Sequence, residues 1–308
     1  MIDFRSDDLT PPPAPTGDRA DNGLPRAEGA PASDGRRSVW TVGGGLKADV
    51  RDLSQGIPIV FLHGLVGLNE HWEDVVGRVE HAARPILFEL PLLRLRGEHC
   101  SIHGVTALTI RFLEEYLDGE PAVLAGNSFG GHVATRIAID RPDLVRGLVL
   151  AGSSGVLEKS MVSDVQRRPT REWLSRKIGE LFYDQSLMRN EDLDRAHAEL
   201  SDRGGARAMV RLSRTARRDL LHDVLDRISC PTLLIWGEKD IVTPPEAARV
   251  FEQQIPASRL VWIPECGHAP MLEAPGVFAE ELLRFLGELG ESESESAPAV
   301  ARATNADA

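Results

Sequence analysis

Six short runs of this chain are apolar almost from end to end, and longer amphipathic stretches separate most of them. They are IPIVFL (57–62), PILFEL (85–90), PAVLAG (121–126), GLVLAG (147–152), TLLIWG (232–237) and RLVWIP (259–264). A strand with one face in water alternates polar and apolar residues, whereas a strand apolar at every position is covered on both faces. Ile102, Val105, Leu108, Phe112 and Tyr116 recur at three- and four-residue spacing, which predicts a helix with one buried stripe. Apolar strands alternating with such helices specify an α/β fold, a mostly parallel sheet with crossover helices.

The alternation breaks once. Roughly 75 residues separate GLVLAG from TLLIWG, and they hold the helical stretches REWLSRKIGELFY and RAMVRLSRTARRDLLHDVL. A structureless loop of that length is implausible in a compact domain. A helical cap is therefore expected at 155–228, inserted between core segments 39–154 and 229–289. Residues 1–38 carry six of the 20 prolines and scarcely any large apolar side chain, and the stretch from Gly290 onward is similar. Neither offsets its ordering entropy by burial, so both are expected to be disordered tails. No internal repeat is apparent.

Composition narrows the partners. With 35 basic against 47 acidic side chains the net charge is −12, which disfavours wrapping nucleic acid or lying on an anionic membrane. Charged residues interrupt every apolar run well before the roughly 18 residues that a membrane span requires. The opening MIDFRSDD has no basic stretch followed by an apolar one, so no secretory signal is expected and the expected compartment is the cytoplasm. Cys100, Cys230 and Cys266 form no CxxC pair and read as reduced thiols. Cys266, two residues before His268, is the one cysteine considered as a nucleophile.

The chemistry-bearing signal is Gly126-Asn127-Ser128-Phe129-Gly130-Gly131, a G-x-S-x-G pattern between the strand PAVLA and a helix beginning near Phe129. A serine on a sharp strand-to-helix turn is pushed into the open, and glycines flank it where side chains would collide with backbone. It also sits where unpaired helix N–H groups favour negative charge. A serine hydroxyl needs a base, and the base an orienting acid. In chain order Asp240 follows in WGEKDIVTP, just past one strand, and His268 in PECGHAPMLEAP, just past the next. Glu238 is the alternative acid. The expected oxyanion donors are the backbone N–H groups of Phe129 and of Leu65, in the loop His63-Gly64-Leu65-Val66-Gly67, where Gly64 is read as permitting the bend.

Together HG after the first core strand, GNSFGG, GEKDIVTP and ECGHAPMLEAP resemble the α/β-hydrolase family over about residues 39–288. The resemblance implies an eight-stranded, mostly parallel sheet with a lid, and Ser128 speaks against the branches that use aspartate as nucleophile. GNSFGG and YDQSL (183–187) are similar to hydrolases that cleave carbon–carbon bonds in aromatic ring-fission products. That likeness makes Asn127 and Arg195 candidate substrate contacts, Arg195 as a carboxylate ligand, although Ala269 stands where that branch usually has an aromatic residue.

From Val156 to Ser229 there are 15 basic and 13 acidic residues, so the cap is basic in an acidic protein. Arg207, Arg211, Arg214 and Arg218 share one helix face, read first as solvated and second as attracting a carboxylate-bearing substrate. Trp173 and Phe182 are expected to pack against the core, with pocket lining as the second reading. His99 and His103 read as exposed or capping residues. The expected function is a serine hydrolase acting on an ester or related acyl bond through Ser128, Asp240 and His268. The alternatives are carbon–carbon bond hydrolysis, acyl transfer and a non-catalytic ligand binder. A small-molecule substrate is expected, with no cofactor and no metal; the oligomeric state is open.

Overall fold

Each of the six apolar runs is a strand: β3 (Pro58–Leu62), β4 (Arg84–Glu89), β5 (Ala122–Asn127), β6 (Val145–Ala151), β7 (Thr232–Gly237) and β8 (Ser258–Ile263). They are preceded by a hairpin, β1 (Arg36–Gly43) and β2 (Leu46–Asp52), making an eight-stranded sheet of order β1-β2-β4-β3-β5-β6-β7-β8. The computed structural model describes residues 36–158 and 169–296, the last five as backbone only. The pairs β1–β2 and β2–β4 are antiparallel and the rest parallel.

The helices are α1 (Glu73–Val79), α2 (Ile102–Tyr116), α3 (Phe129–Asp140), α4 (Arg171–Gly179), α5 (Asn190–Ser201), α6 (Arg203–Arg218), α7 (Pro245–Gln254), α8 (Pro270–Glu273) and α9 (Pro275–Ser296). One apolar cluster takes Val60, Leu62, Leu124, Leu148, Leu150 and Leu234 onto one sheet face with α2, α3 and α7. The alternate residues Ile59, Phe61, Val123, Val149, Leu233 and Ile235 meet α1 and α9 on the other. Double coverage is why these strands read as continuous apolar runs. Truncating a fully buried member such as Phe61 removes about 3–5 kcal/mol.

Two expected boundaries move. The strand β1 begins at Arg36, inside the stretch read as a tail, and the hairpin escaped notice because only alternate residues (Trp40, Val42, Ala48 and Val50) point inward. Trp40 stands edge-on to Phe88 and Phe112 at 5.8 and 5.7 Å, which closes that sheet edge over the core. At the other end α9 runs through Ser296, past the expected stop at 289. The extension begins at Gly290, where a Cβ would meet nothing within 4 Å, so no packed side chain at that position marks the helix in the sequence. The rest of both expected tails lies outside the described residues.

Between β6 and β7 come α4, α5 and α6, as the break in alternation requires; residues 159–168 of this interval lie outside the described residues. Leu174, Leu193 and Leu200 from these helices bury against Leu93, with Val66 and Trp173 packed on them, as a third apolar cluster. From β3 the chain goes to β4 on one side and then returns to place β5 on the other. Such a reversal opens a crevice beyond the carboxyl ends of the two strands, here β3 and β5.

Candidate active site

Ser128 stands at the carboxyl end of β5 with φ 55° and ψ −117°, a conformation a side-chain-bearing residue adopts only when its surroundings impose it. A Cβ at Gly126 would lie 2.5 Å from the Gly130 backbone, and one at Gly130 would run into the Leu62 carbonyl. The elbow is therefore sterically specific to glycine at both flanks, and its tightness ejects the Ser128 side chain toward the crevice. Hydrogen bonds anchor it: the Ser128 N–H donates to Ala151 O (3.1 Å), and its carbonyl accepts from His132 N (3.1 Å) and Ser154 N (3.2 Å).

The turn after β7 carries Asp240 and the loop after β8 carries His268, both buried. Asp240 Oδ2 accepts from His268 Nδ1 at 2.9 Å and from Thr243 Oγ1 at 2.8 Å. Its Oδ1 accepts the Val242 and Thr243 N–H groups at 2.8 and 3.0 Å. Four donors on one buried carboxylate fix its orientation. Burial works against the His268 imidazolium, yet the neighbouring Asp240 charge and hydrogen bond outweigh it and hold the imidazole pKa above its ordinary value. Glu238, the alternative acid, is exposed, and the carboxylate on His268 Nδ1 is that of Asp240. Cys266 is buried, and burial together with nearby Glu273 drives its thiol pKa up, the opposite of an activated nucleophile.

Leu65 and Ser128 line the same cavity. Neither the Leu65 nor the Phe129 N–H donates to another group among the described residues, and Leu65, unlike Phe129, lines the Ser128 cavity. The role expected of Gly64 shifts to Gly67. A Cβ at Gly64 would make ordinary contacts of 3.5 and 3.6 Å with Asn127 and Ser128, whereas one at Gly67 would lie 2.9 Å from Gly64 N and His63 Cβ.

The cavity has a volume of about 180 Å³. The insertion supplies apolar lining, including Trp173, Leu174, Ile178 and Met209. Trp173 and Phe182 pack against apolar clusters, as expected, and both also line the cavity. Its polar members include Glu158, Lys177 and Arg189, none of which belongs to a motif the sequence analysis recognised. Burial raises the Glu158 carboxyl pKa, with His268 and Arg217 opposing. Thr243 went unremarked although it lies inside the GEKDIVTP stretch; a hydroxyl three residues past the acid was its available signal.

Both candidate substrate contacts have other duties. Asn127 Nδ2 donates to Ala151 O and to His268 O, each at 3.0 Å, stitching the elbow to the histidine loop. Arg195 does not line the cavity: it donates to Val66 O at 2.5 Å and to Glu199 at 3.2 Å. The arginine stripe on α6 also faces elsewhere. None of Arg207, Arg211, Arg214 and Arg218 lines this cavity, and Arg207 and Arg211 border a separate one of about 270 Å³ with Arg96 and Cys100. His103 is exposed beside Asp219 (3.7 Å), and His99 does not line the Ser128 cavity. Among the described residues no three His, Cys, Asp or Glu side chains converge as a metal site, and no helix is long and apolar enough to cross a membrane.

The model of the Alpha/beta hydrolase family matches residues 59–281. The pimeloyl-[acyl-carrier protein] methyl ester esterase of Nitrosomonas europaea is 28% identical over 245 residues, 74% of this chain and 95% of that protein. The 2-hydroxy-6-oxo-6-(2'-aminophenyl)hexa-2,4-dienoic acid hydrolase of Metapseudomonas resinovorans is 26% identical over 258 residues, 79% of this chain and 88% of that protein. The solved structure of a meta-cleavage product hydrolase from Pseudomonas fluorescens IP01 shares the fold, with TM-score 0.70 at 20% identity over 83% of this chain and 98% of that one.

Proposed function

The chain belongs to the alpha/beta hydrolase family, and from that premise we propose that it is a serine hydrolase cleaving an ester or related acyl bond through Ser128, His268 and Asp240. The observation that carries this reading is the strained elbow serine sharing a cavity with a histidine whose far nitrogen is held 2.9 Å from a buried, fully hydrogen-bonded aspartate. Because Nδ1 donates to Asp240, Nε2 is the basic nitrogen. His268 removes the Ser128 proton as Oγ attacks the acyl carbon, and the Leu65 and Phe129 N–H groups receive the oxyanion. The tetrahedral adduct collapses as the imidazolium protonates the leaving alcohol. Water, deprotonated by His268, then releases the acyl-enzyme. The apolar wall suits an acyl group of some length, and the N. europaea relative is itself a methyl ester esterase.

The test is turnover of p-nitrophenyl esters of graded acyl length by the wild type and Ser128→Ala, with circular dichroism to confirm folding. The variant is expected to lose turnover, and reaction at the wild-type rate would sink the proposal. The second reading, carbon–carbon hydrolysis of a ring-fission product, is favoured by the M. resinovorans relative. It is weakened by the engagement of Arg195 with Val66 and Glu199, which leaves the expected carboxylate ligand facing away from the cavity. Bleaching of a dienoate chromophore by the purified enzyme separates the two. A non-catalytic binder would leave Ser128 unlabelled by a fluorophosphonate probe.

A further inference from the structure

Arg195 sits at one end of a chain of hydrogen bonds that ends on the candidate oxyanion donor. Its guanidinium donates to the carbonyl of Val66 at 2.5 Å. That carbonyl belongs to the same peptide unit as the Gly67 N–H, which donates to the Gly64 carbonyl at 3.0 Å. The Gly64 carbonyl in turn shares a peptide unit with the Leu65 N–H. No peptide bond here is cis, and in a trans peptide the carbonyl and the N–H point in opposite directions. Holding Gly64 O on one side therefore aims the Leu65 N–H to the other, and Leu65 lines the Ser128 cavity.

The same carbonyl has a second anchor. The His63 Nδ1 lies 2.7 Å from Gly64 O. A carbonyl only accepts, so Nδ1 carries the proton, and burial holds the His63 pKa at about 4, which leaves the ring neutral near pH 7. Helix α5 grips the loop at further points. Asp192, one turn before Arg195, lies 3.1 Å from His71 Nε2 just beyond the loop. The Val66 side chain packs into the cluster containing Leu193.

We propose that Arg195 is a positioning residue through which helix α5 aims and polarises the Leu65 oxyanion donor, rather than a ligand for a substrate carboxylate. The inference rests on the serine hydrolase reading. A cation at the carbonyl end of two linked peptide dipoles strengthens the N–H at the other end, because hydrogen-bonded dipoles polarise one another. The inserted helices thereby do more than wall the cavity. Their seating on the core sets the geometry in which charge develops on the substrate oxygen.

The experiment compares Arg195→Met and Arg195→Lys with the wild type on p-nitrophenyl butyrate and on its carboxylate-bearing counterpart, p-nitrophenyl hemisuccinate. Affinity for a trifluoromethyl ketone, which mimics the tetrahedral adduct, is measured alongside. Deleting a donor outright costs about 10²–10³-fold in kcat. Loss of the residue that aims it is expected to cost Met about 10- to 100-fold in kcat on both esters. KM stays within about threefold, the ketone weakens by a matching factor, and Lys recovers part of the loss because it still donates to Val66 O. A rise in KM confined to the hemisuccinate, with kcat intact, would overturn the proposal in favour of a carboxylate ligand; unchanged kinetics on both esters would overturn it outright. If Met fails to fold by circular dichroism, Lys and Arg195→Gln carry the same comparison. Should the wild type itself resist fluorophosphonate labelling at Ser128, the hydrolase reading and this inference both fall; normal labelling with unaltered variant kinetics removes the inference alone.

Discussion

Replacing Asp240 by Asn changes one atom and tests the site's logic. The carboxylate accepts two backbone N–H groups on Oδ1, and the Thr243 hydroxyl and His268 Nδ1 on Oδ2. An asparagine can keep its carbonyl on the two amides, which places its NH2 toward Thr243 and His268. That NH2 donates to Nδ1, moves the imidazole proton to Nε2 and leaves no basic nitrogen facing Ser128. The tautomer penalty in such sites is about 10⁴-fold in kcat, or about 5.4 kcal/mol of barrier at 1.36 kcal/mol per tenfold. The assay is p-nitrophenyl ester turnover from pH 5 to 10. In the wild type Asp240 raises the His268 pKa. Activity requires the neutral ring, so the acid limb of kcat/KM lies above the ordinary histidine pKa of about 6.5. In the variant the Asp240 charge and hydrogen bond are gone, only the weaker charges of Glu158 and Glu273 oppose burial, and that limb moves to lower pH. Stability carries the same signature. A raised folded-state pKa stabilises fully below the unfolded value and is lost as pH rises through the folded one, so the variant's stability deficit is larger at pH 5 than at pH 9. Kcat within tenfold of wild type, or an acid limb that stays in place, would refute the reasoning.

Further outcomes follow from packing. Gly130→Ala, driven into the Leu62 carbonyl, is expected to lose more than about 3 kcal/mol in urea unfolding. Gly64→Ala, with only ordinary contacts to meet, is expected to stay within about 1 kcal/mol of wild type. Asp219, which accepts from His132 Nε2 at 3.0 Å and Arg136 Nε at 2.7 Å, joins the end of α6 to the nucleophile helix. Burial alone would raise its pKa, but these two partners lower it. Asp219→Asn should therefore cost about 2–4 kcal/mol at pH 7 by denaturant titration, a deficit that closes only as pH falls below the ordinary carboxylate value of about 3.9. Trp173→Ala enlarges the cavity wall and is expected to favour longer acyl chains by about fivefold in kcat/KM for each methylene newly accommodated; an unchanged chain-length profile would show that Trp173 does not bound the acyl site.

Short windows of sequence determined the sheet and the elbow, because the forces that shape them are local or periodic. A strand buried on both faces has to be apolar throughout, and a serine between backbone segments 2.5 Å from an added Cβ has to be flanked by glycine. The hairpin β1–β2 stayed hidden because one-sided burial leaves only a weak alternation. Tertiary structure decided the choices among like groups. Glu238 and Asp240 both follow β7, and only the approach of the β8 loop makes one of them the partner of His268. Arg195 resembles a substrate ligand in sequence, yet the packing of α5 on the loop after β3 turns its guanidinium onto the Val66 carbonyl. A side chain's covalent neighbours set the peptide geometry around it, whereas the charges and carbonyls that claim its hydrogen bonds come from segments dozens of residues away, and those are brought together only when the chain packs.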